Sequence, residues 1–138
     1  MKVFLGGTCN NSNWREEVIK GINIDYFNPV VDDWNDEAYE KEIYEKEHCD
    51  LCLYIITPRM TGVYSIAEVV DDSNKRPDKT IFCFVNEDVD ENSSYFLTKG
   101  QRKSLVAVGK MVEKNGAVWL SSIVQCIDYL NKRGLSEN

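Results

Sequence analysis

A chain of 138 residues that is 43% hydrophobic and 28% charged is long and apolar enough for one globular domain with its own core. Its net charge of −7 argues against a reader of the phosphate backbone, which needs a basic patch, so no nucleic-acid partner is expected. No run approaches the ~18 apolar residues of a membrane span, and Val3-Phe4-Leu5 is too short for the apolar region of a signal peptide, so no membrane is expected either.

The cysteines are five, an odd number, and four of them (Cys49, Cys52, Cys83 and Cys126) lie in or beside apolar runs, as buried free thiols do. That usage fits a reducing compartment, the cytoplasm. His48-Cys49-x-x-Cys52 resembles a fragment of a metal site but has no second ligand pair, so no metal and no cofactor is expected.

In chain order, Lys2 to Leu5 reads as a first strand stopped by Gly6-Gly7. A polar loop from Thr8 to Asn13 leads into a helix at Trp14, which Asn13 and Glu16 are spaced to cap. Strand, glycine turn and helix make a nucleotide-fold opening, because backbone N–H groups and the helix N-terminus welcome a phosphate or a sugar hydroxyl. The GxGxxG spacing of a dinucleotide site is absent. Ile24 to Phe27 is a short second strand ended by Asn28-Pro29, and a polar turn surrounds Trp34. Glu37 to His48 is a charged helix whose Glu and Lys residues form mostly a solvated face. Glu42 is the exception, since it follows Tyr39 by three and borders the apolar stripe.

Leu51 to Ile56 is apolar throughout, too short for a helix, and suits a central strand. Pro58 and Gly62 shape the loop after it, and Ser65-Ile66-Ala67-Glu68 opens a helix. This last segment has two readings. Ser65 and Glu68 have capping-box spacing, and Glu68 also lies beyond a strand's carboxyl end, where open α/β sheets bind ligands. Thr80 to Val85 is a fourth strand ending at Asn86, followed by an acidic loop from Glu87 to Ser94. Tyr95 to Glu113 reads as helix, Ala117 to Leu120 as a fifth strand, and Ser122-x-x-Gln125 caps a last helix reaching about Lys132. One domain over residues 1–134 and a tail over 135–138 follow.

Strands alternating with helices predict an α/β protein: a single doubly wound (flavodoxin- or Rossmann-like) five-stranded parallel sheet flanked by helices. The carboxyl ends of its strands gather Gly6, Gly7, Thr8 and Asn10, then Asn28-Pro29, Thr57 to Tyr64 with Glu68 beyond, and Asn86. Such a polar, acidic rim suits an uncharged ligand such as a nucleoside better than a polyphosphate.

The residues that line this rim carry a resemblance. Phe4-Leu5-Gly6-Gly7-Thr8, Ser12-Asn13-Trp14-Arg15, Phe27-Asn28-Pro29, Trp34, Cys49-Asp50 and Tyr64-Ser65-Ile66-Ala67-Glu68 are similar, in order and spacing, to the nucleoside 2-deoxyribosyltransferase-like proteins over roughly residues 2 to 86. The resemblance implies cleavage of the N-glycosidic bond of a 2′-deoxynucleoside and transfer of the sugar to another base or to water. A non-catalytic nucleoside-binding module on the same fold is the alternative. By the same resemblance Glu68 is the nucleophile and Glu42 the proton donor to the departing base. Gly6, Gly7 and Thr8 line the sugar pocket, with Asn10, Asn28, Pro29, Tyr64 and Asp50 as further matched positions and Asp50 mainly structural. It also implies a homo-oligomer, with Tyr95, Phe96 or the last helix as candidate contributors to a neighbour's pocket. Two positions depart from the better-known members: Phe4 stands in place of a tyrosine that touches the nucleophile, and Gly62 in place of an aspartate or serine. Arg15 and Arg59 are the two cations expected beside the pocket.

Overall fold

A computed structural model describes residues 1–9 and 11–136. The strands β1 (Lys2–Gly7), β2 (Asp25–Phe27), β3 (Leu51–Ile56), β4 (Thr80–Phe84) and β7 (Val118–Leu120) form one parallel sheet in the order β2-β1-β3-β4-β7. Between and after them run α1 (Trp14–Gly21), α2 (Asp36–His48), α3 (Tyr64–Lys75), α4 (Lys99–Lys114) and α5 (Ile123–Ser136). This is the doubly wound fold that the alternation of strands and helices predicts.

The period of two along each strand explains the two-sided core. Val3 and Leu5 of β1, Leu51, Leu53 and Ile55 of β3, and Ile81 and Cys83 of β4 meet Trp14 and Val18 of α1 and Cys126 and Leu130 of α5. The alternate residues Phe4, Cys52, Tyr54, Ile56 and Phe82 face Val69 of α3 and Leu105 and Val112 of α4. Every residue of the middle strand β3 is buried, as a strand covered by helices on both faces must be. The cysteines are unpaired, and Cys49, Cys52, Cys83 and Cys126 are buried among these residues. No described helix is long and apolar enough to cross a membrane.

Several elements differ from the sequence reading. The first strand extends through Gly7, and α5 runs to Ser136 rather than ending near Lys132. The segment read as an acidic loop and a helix start is instead an antiparallel hairpin of β5 (Glu87–Val89) and β6 (Ser94–Phe96), so Tyr95 and Phe96 lie on a strand. Its turn is closed by Asp90, whose Oδ1 accepts the N–H groups of Asn92 and Ser93. Helix α4 then begins after a capping box in which Thr98 and Gln101 satisfy each other's backbone N–H groups.

Candidate active site

In an open parallel sheet the ligand crevice lies where the strand order reverses. Here that point is between β1, from which the chain winds to β2, and β3, from which it winds toward β4. A cleft of about 120 Å³ opens there, lined by Gly7, Thr8 and Cys9 after β1 and by Met60, Thr61, Gly62, Tyr64 and Ser65 after β3.

The loop after β1 is shaped by its glycines. Gly7 has φ +114°, and a Cβ there would fall 2.2 Å from the Ile55 carbonyl oxygen, so no other residue fits without displacing β3. A Cβ on Gly6 would meet the Tyr54 ring at 2.6 Å, so the missing side chain makes room for that ring. Beyond them Thr8 N–H donates to the Ile55 carbonyl at 3.0 Å, and its hydroxyl accepts the Thr57 N–H at 2.9 Å, tying the two loops together. Trp14 Nε1 and Arg15 Nη1 both donate to the Thr8 carbonyl, at 2.8 and 2.6 Å. Arg15 also donates to the carbonyls of Leu5 and Gly7. Buried and fully occupied, it is a staple for the loop rather than a cation facing the cleft.

Arg59 is likewise committed. It pairs with Asp88 and Asp90, each at 3.1 Å, and lies 4.5 Å from the Tyr95 ring centroid, pinning the hairpin against the loop after β3. Both cations expected beside the pocket therefore serve the chain itself.

Glu68 lies in the second turn of α3. The capping-box reading is not realised: the helix starts at Tyr64 with no side-chain cap, and Asn13 likewise makes no cap bond at α1. The Glu68 carboxylate instead reaches across to α2, where Lys46 Nζ lies 2.8 Å from Oε2. Glu42 and Lys46, four apart, share one face of α2; Glu68 and Asp72, four apart, share one face of α3. The two faces meet. Burial and the Glu68 charge lift the Glu42 carboxyl above its ordinary range, while Lys46 and Arg15 pull it back. For Lys46, burial works against the charged form, but hydrogen bonding and charge from Glu68, then Asp72, outweigh it and raise its pKa.

Behind this pair, Tyr54 donates its hydroxyl to Asp72 Oδ2. Tyr54 is held neutral by burial and by the adjacent Asp72 charge. Lys46 also contacts Asp72 at 3.3 Å. Sequence reasoning missed this network of Lys46, Asp72 and Tyr54. Its one local signal was the four-residue spacing of Lys46 after Glu42 and of Asp72 after Glu68.

The other expected positions divide. Gly7, Thr8 and Tyr64 line the cleft, with Tyr64 exposed one helical turn before Glu68. Gly6 backs it against Tyr54. Asn28 and Pro29 follow β2, where the Asn28 side chain accepts the Val30 N–H at 3.1 Å and stabilises its own turn. Asp50 is at the opposite end of the sheet, before β3, where its carboxylate accepts the Lys2 N–H at 2.8 Å. That contact makes it a strand-end brace and sets it apart from the cleft. Asn10 is outside the described residues.

A doubly wound sheet with a cleft at its strand-order reversal is the arrangement in which open α/β proteins hold small ligands; the half-buried carboxyls of Glu42 and Glu68 are not among the residues that line this cleft. Residues 1–87 match the family model described as nucleoside 2-deoxyribosyltransferase like, and the chain belongs to that family. No curated protein matches the chain in sequence.

Proposed function

We propose that the protein cleaves the N-glycosidic bond of a 2′-deoxynucleoside and passes the deoxyribosyl group to another base, or to water. The observation that carries this reading is the approach of two carboxyls with unlike surroundings: Glu68, paired with an ammonium, and Glu42, raised by burial. An ion-paired carboxylate together with a second carboxyl that burial keeps protonated longer suits a nucleophile and a proton donor.

In the first step Glu68 Oε1 attacks the anomeric carbon, and the C–N bond breaks with its electron pair going to the base. Glu42 gives its proton to that base, leaving a glycosyl ester on Glu68. In the second step a nitrogen of the incoming base, or a water oxygen, attacks the same carbon. Glu68 departs as carboxylate, Glu42 takes up the proton, and two inversions give net retention. The Gly7–Thr8 turn, held rigid by Arg15 and Trp14, supplies the wall against which the sugar rests. With Arg15 and Arg59 both occupied, an unphosphorylated nucleoside is favoured over its monophosphate. Open space at Gly62, where an added Cβ meets nothing within 4 Å, leaves room for the base.

A second reading is a nucleoside-binding module without turnover. It is favoured by the size of the cleft, about 120 Å³ against the roughly 300 Å³ and upward of ordinary ligand pockets. Incubating the protein with thymidine or deoxyinosine, with and without adenine, and separating the products distinguishes the two. Free base plus a new adenine nucleoside is expected; nucleoside binding with no product would establish the module instead.

A further inference from the structure

Lys46 stands out among the lysines of α2 because its side chain is only 17% exposed and its ammonium makes three contacts at once. It lies 2.8 Å from Glu68 Oε2, 3.3 Å from Asp72 Oδ2 and 5.6 Å from the centroid of the Tyr54 ring. Asp72 cannot swing away, being 1% exposed, bonded to the Tyr54 hydroxyl at Oδ2 and paired with Arg76 at Oδ1, 3.4 Å away. The Tyr54 ring in turn occupies the space left by Gly6. A chain of fixed contacts therefore runs from the middle of the sheet to one oxygen of Glu68. Among the described residues, Oε1 of that carboxylate has no hydrogen-bond partner.

We propose that Lys46 is a positioning residue for the Glu68 nucleophile: anchored by Asp72, it holds the carboxylate through Oε2 and leaves Oε1 for the anomeric carbon. This rests on the reading of Glu68 as nucleophile. The charged and titratable groups facing the pair are Glu42 and Lys46 from α2, Asp72 and Arg76 from α3, Tyr54 and Cys52 from β3, and Arg15 from α1. Burial first, and then Asp72, keep Tyr54 and Cys52 neutral, the Cys52 thiol being pushed up to about 12. Arg76 is turned to Asp72 and the Lys46 carbonyl, and Arg15 to the loop after β1. Among the described residues Lys46 is thus the one cation in contact with Glu68. Glu42, by contrast, has the like charge of Glu68 nearby.

The test is an NMR titration of the Lys46 ammonium in the wild type and Glu68→Gln, run beside nucleoside turnover of the wild type, Lys46→Met and Lys46→Arg. Glu68→Gln is expected to lower the Lys46 midpoint, because burial lowers it and the Glu68 contact is the leading cause that raises it. In turnover, Lys46→Met should lower kcat by about 10²-fold with KM little changed, and Lys46→Arg should recover most of the loss. Should Lys46→Met fail to fold, Lys46→Gln carries the same expectation. A Lys46 midpoint that Glu68→Gln leaves unmoved overturns the proposal, as does a kcat unaffected by Lys46→Met. If the midpoint moves as expected but the wild type turns over no nucleoside, the grip of Lys46 on Glu68 stands and the glycosyl-transfer reading is what fails.

Discussion

The two helices that supply the acid pair differ sharply in how they are held. Helix α3 follows a strand buried at all six positions and buries Val69, Asp72 and Ser73 itself. Helix α2 follows the short edge strand β2 and buries none of its 13 residues; Tyr39, Ile43 and Tyr44 are all exposed. It is tied down mainly by its charged side chains, through Lys46 to Glu68 and Asp72 and through Glu45 to Lys2 at 2.7 Å. The proposed nucleophile thus rides on a helix anchored by buried residues and the proposed proton donor on a helix that buries none. A covalent bond to sugar requires fixed geometry, whereas a proton donor must adjust to a base that leaves and another that arrives.

The contrast breaks most completely at Glu68. Glu68→Gln keeps the shape but removes the proposed nucleophile, and turnover should fall on the order of 10³-fold or more while the chain stays folded, as steady-state rates and circular dichroism would record. Glu42→Gln should cost less, about 10²-fold, because the base can depart without full protonation.

Stability sharpens the same comparison. Leu53→Ala, at a fully buried position of β3, should cost about 2–5 kcal/mol in urea unfolding. Ile43→Ala on α2, 42% exposed, should stay within about 0.5 kcal/mol. The pH dependence carries a sign. Because the folded state raises the Glu42 pKa, the folded chain holds that proton longer than the unfolded chain does. Stability is then lost as pH climbs from the ordinary glutamate value of 4.5 through the raised one, and the loss persists above it. Glu42→Gln should therefore melt higher than the wild type at neutral pH, and the difference should vanish below the ordinary value.

The better-buried half was the legible half. Six apolar residues between His48-Cys49-Asp50 and a Pro/Gly loop left little choice but a central strand, and the alternation in β1 and β4 placed both faces of the core. Glu68 was visible because a strand end and a helix start fixed where it must lie. Its neighbour Lys46 was hidden in a run of Glu and Lys that reads as solvated, since only the approach of α3 distinguishes one lysine from the next. The Tyr54–Asp72 bond joins residues 18 apart through the space above Gly6, which no local pattern encodes. The capping box at Ser65 failed because the helix already begins at Tyr64, which places Ser65 inside it rather than at its cap. The hairpin at Glu87–Phe96 was obscured by its acidity, whose explanation is Arg59, nearly thirty residues earlier.

The most direct test of Glu68 as nucleophile is mass spectrometry of the protein quenched with acid during turnover of a deoxynucleoside, followed by peptide mapping. A deoxyribosyl adduct on the peptide carrying Glu68, formed with release of the base and absent from Glu68→Gln, is the expected result. Base release with no adduct at Glu68, or with full activity in Glu68→Gln, would contradict it.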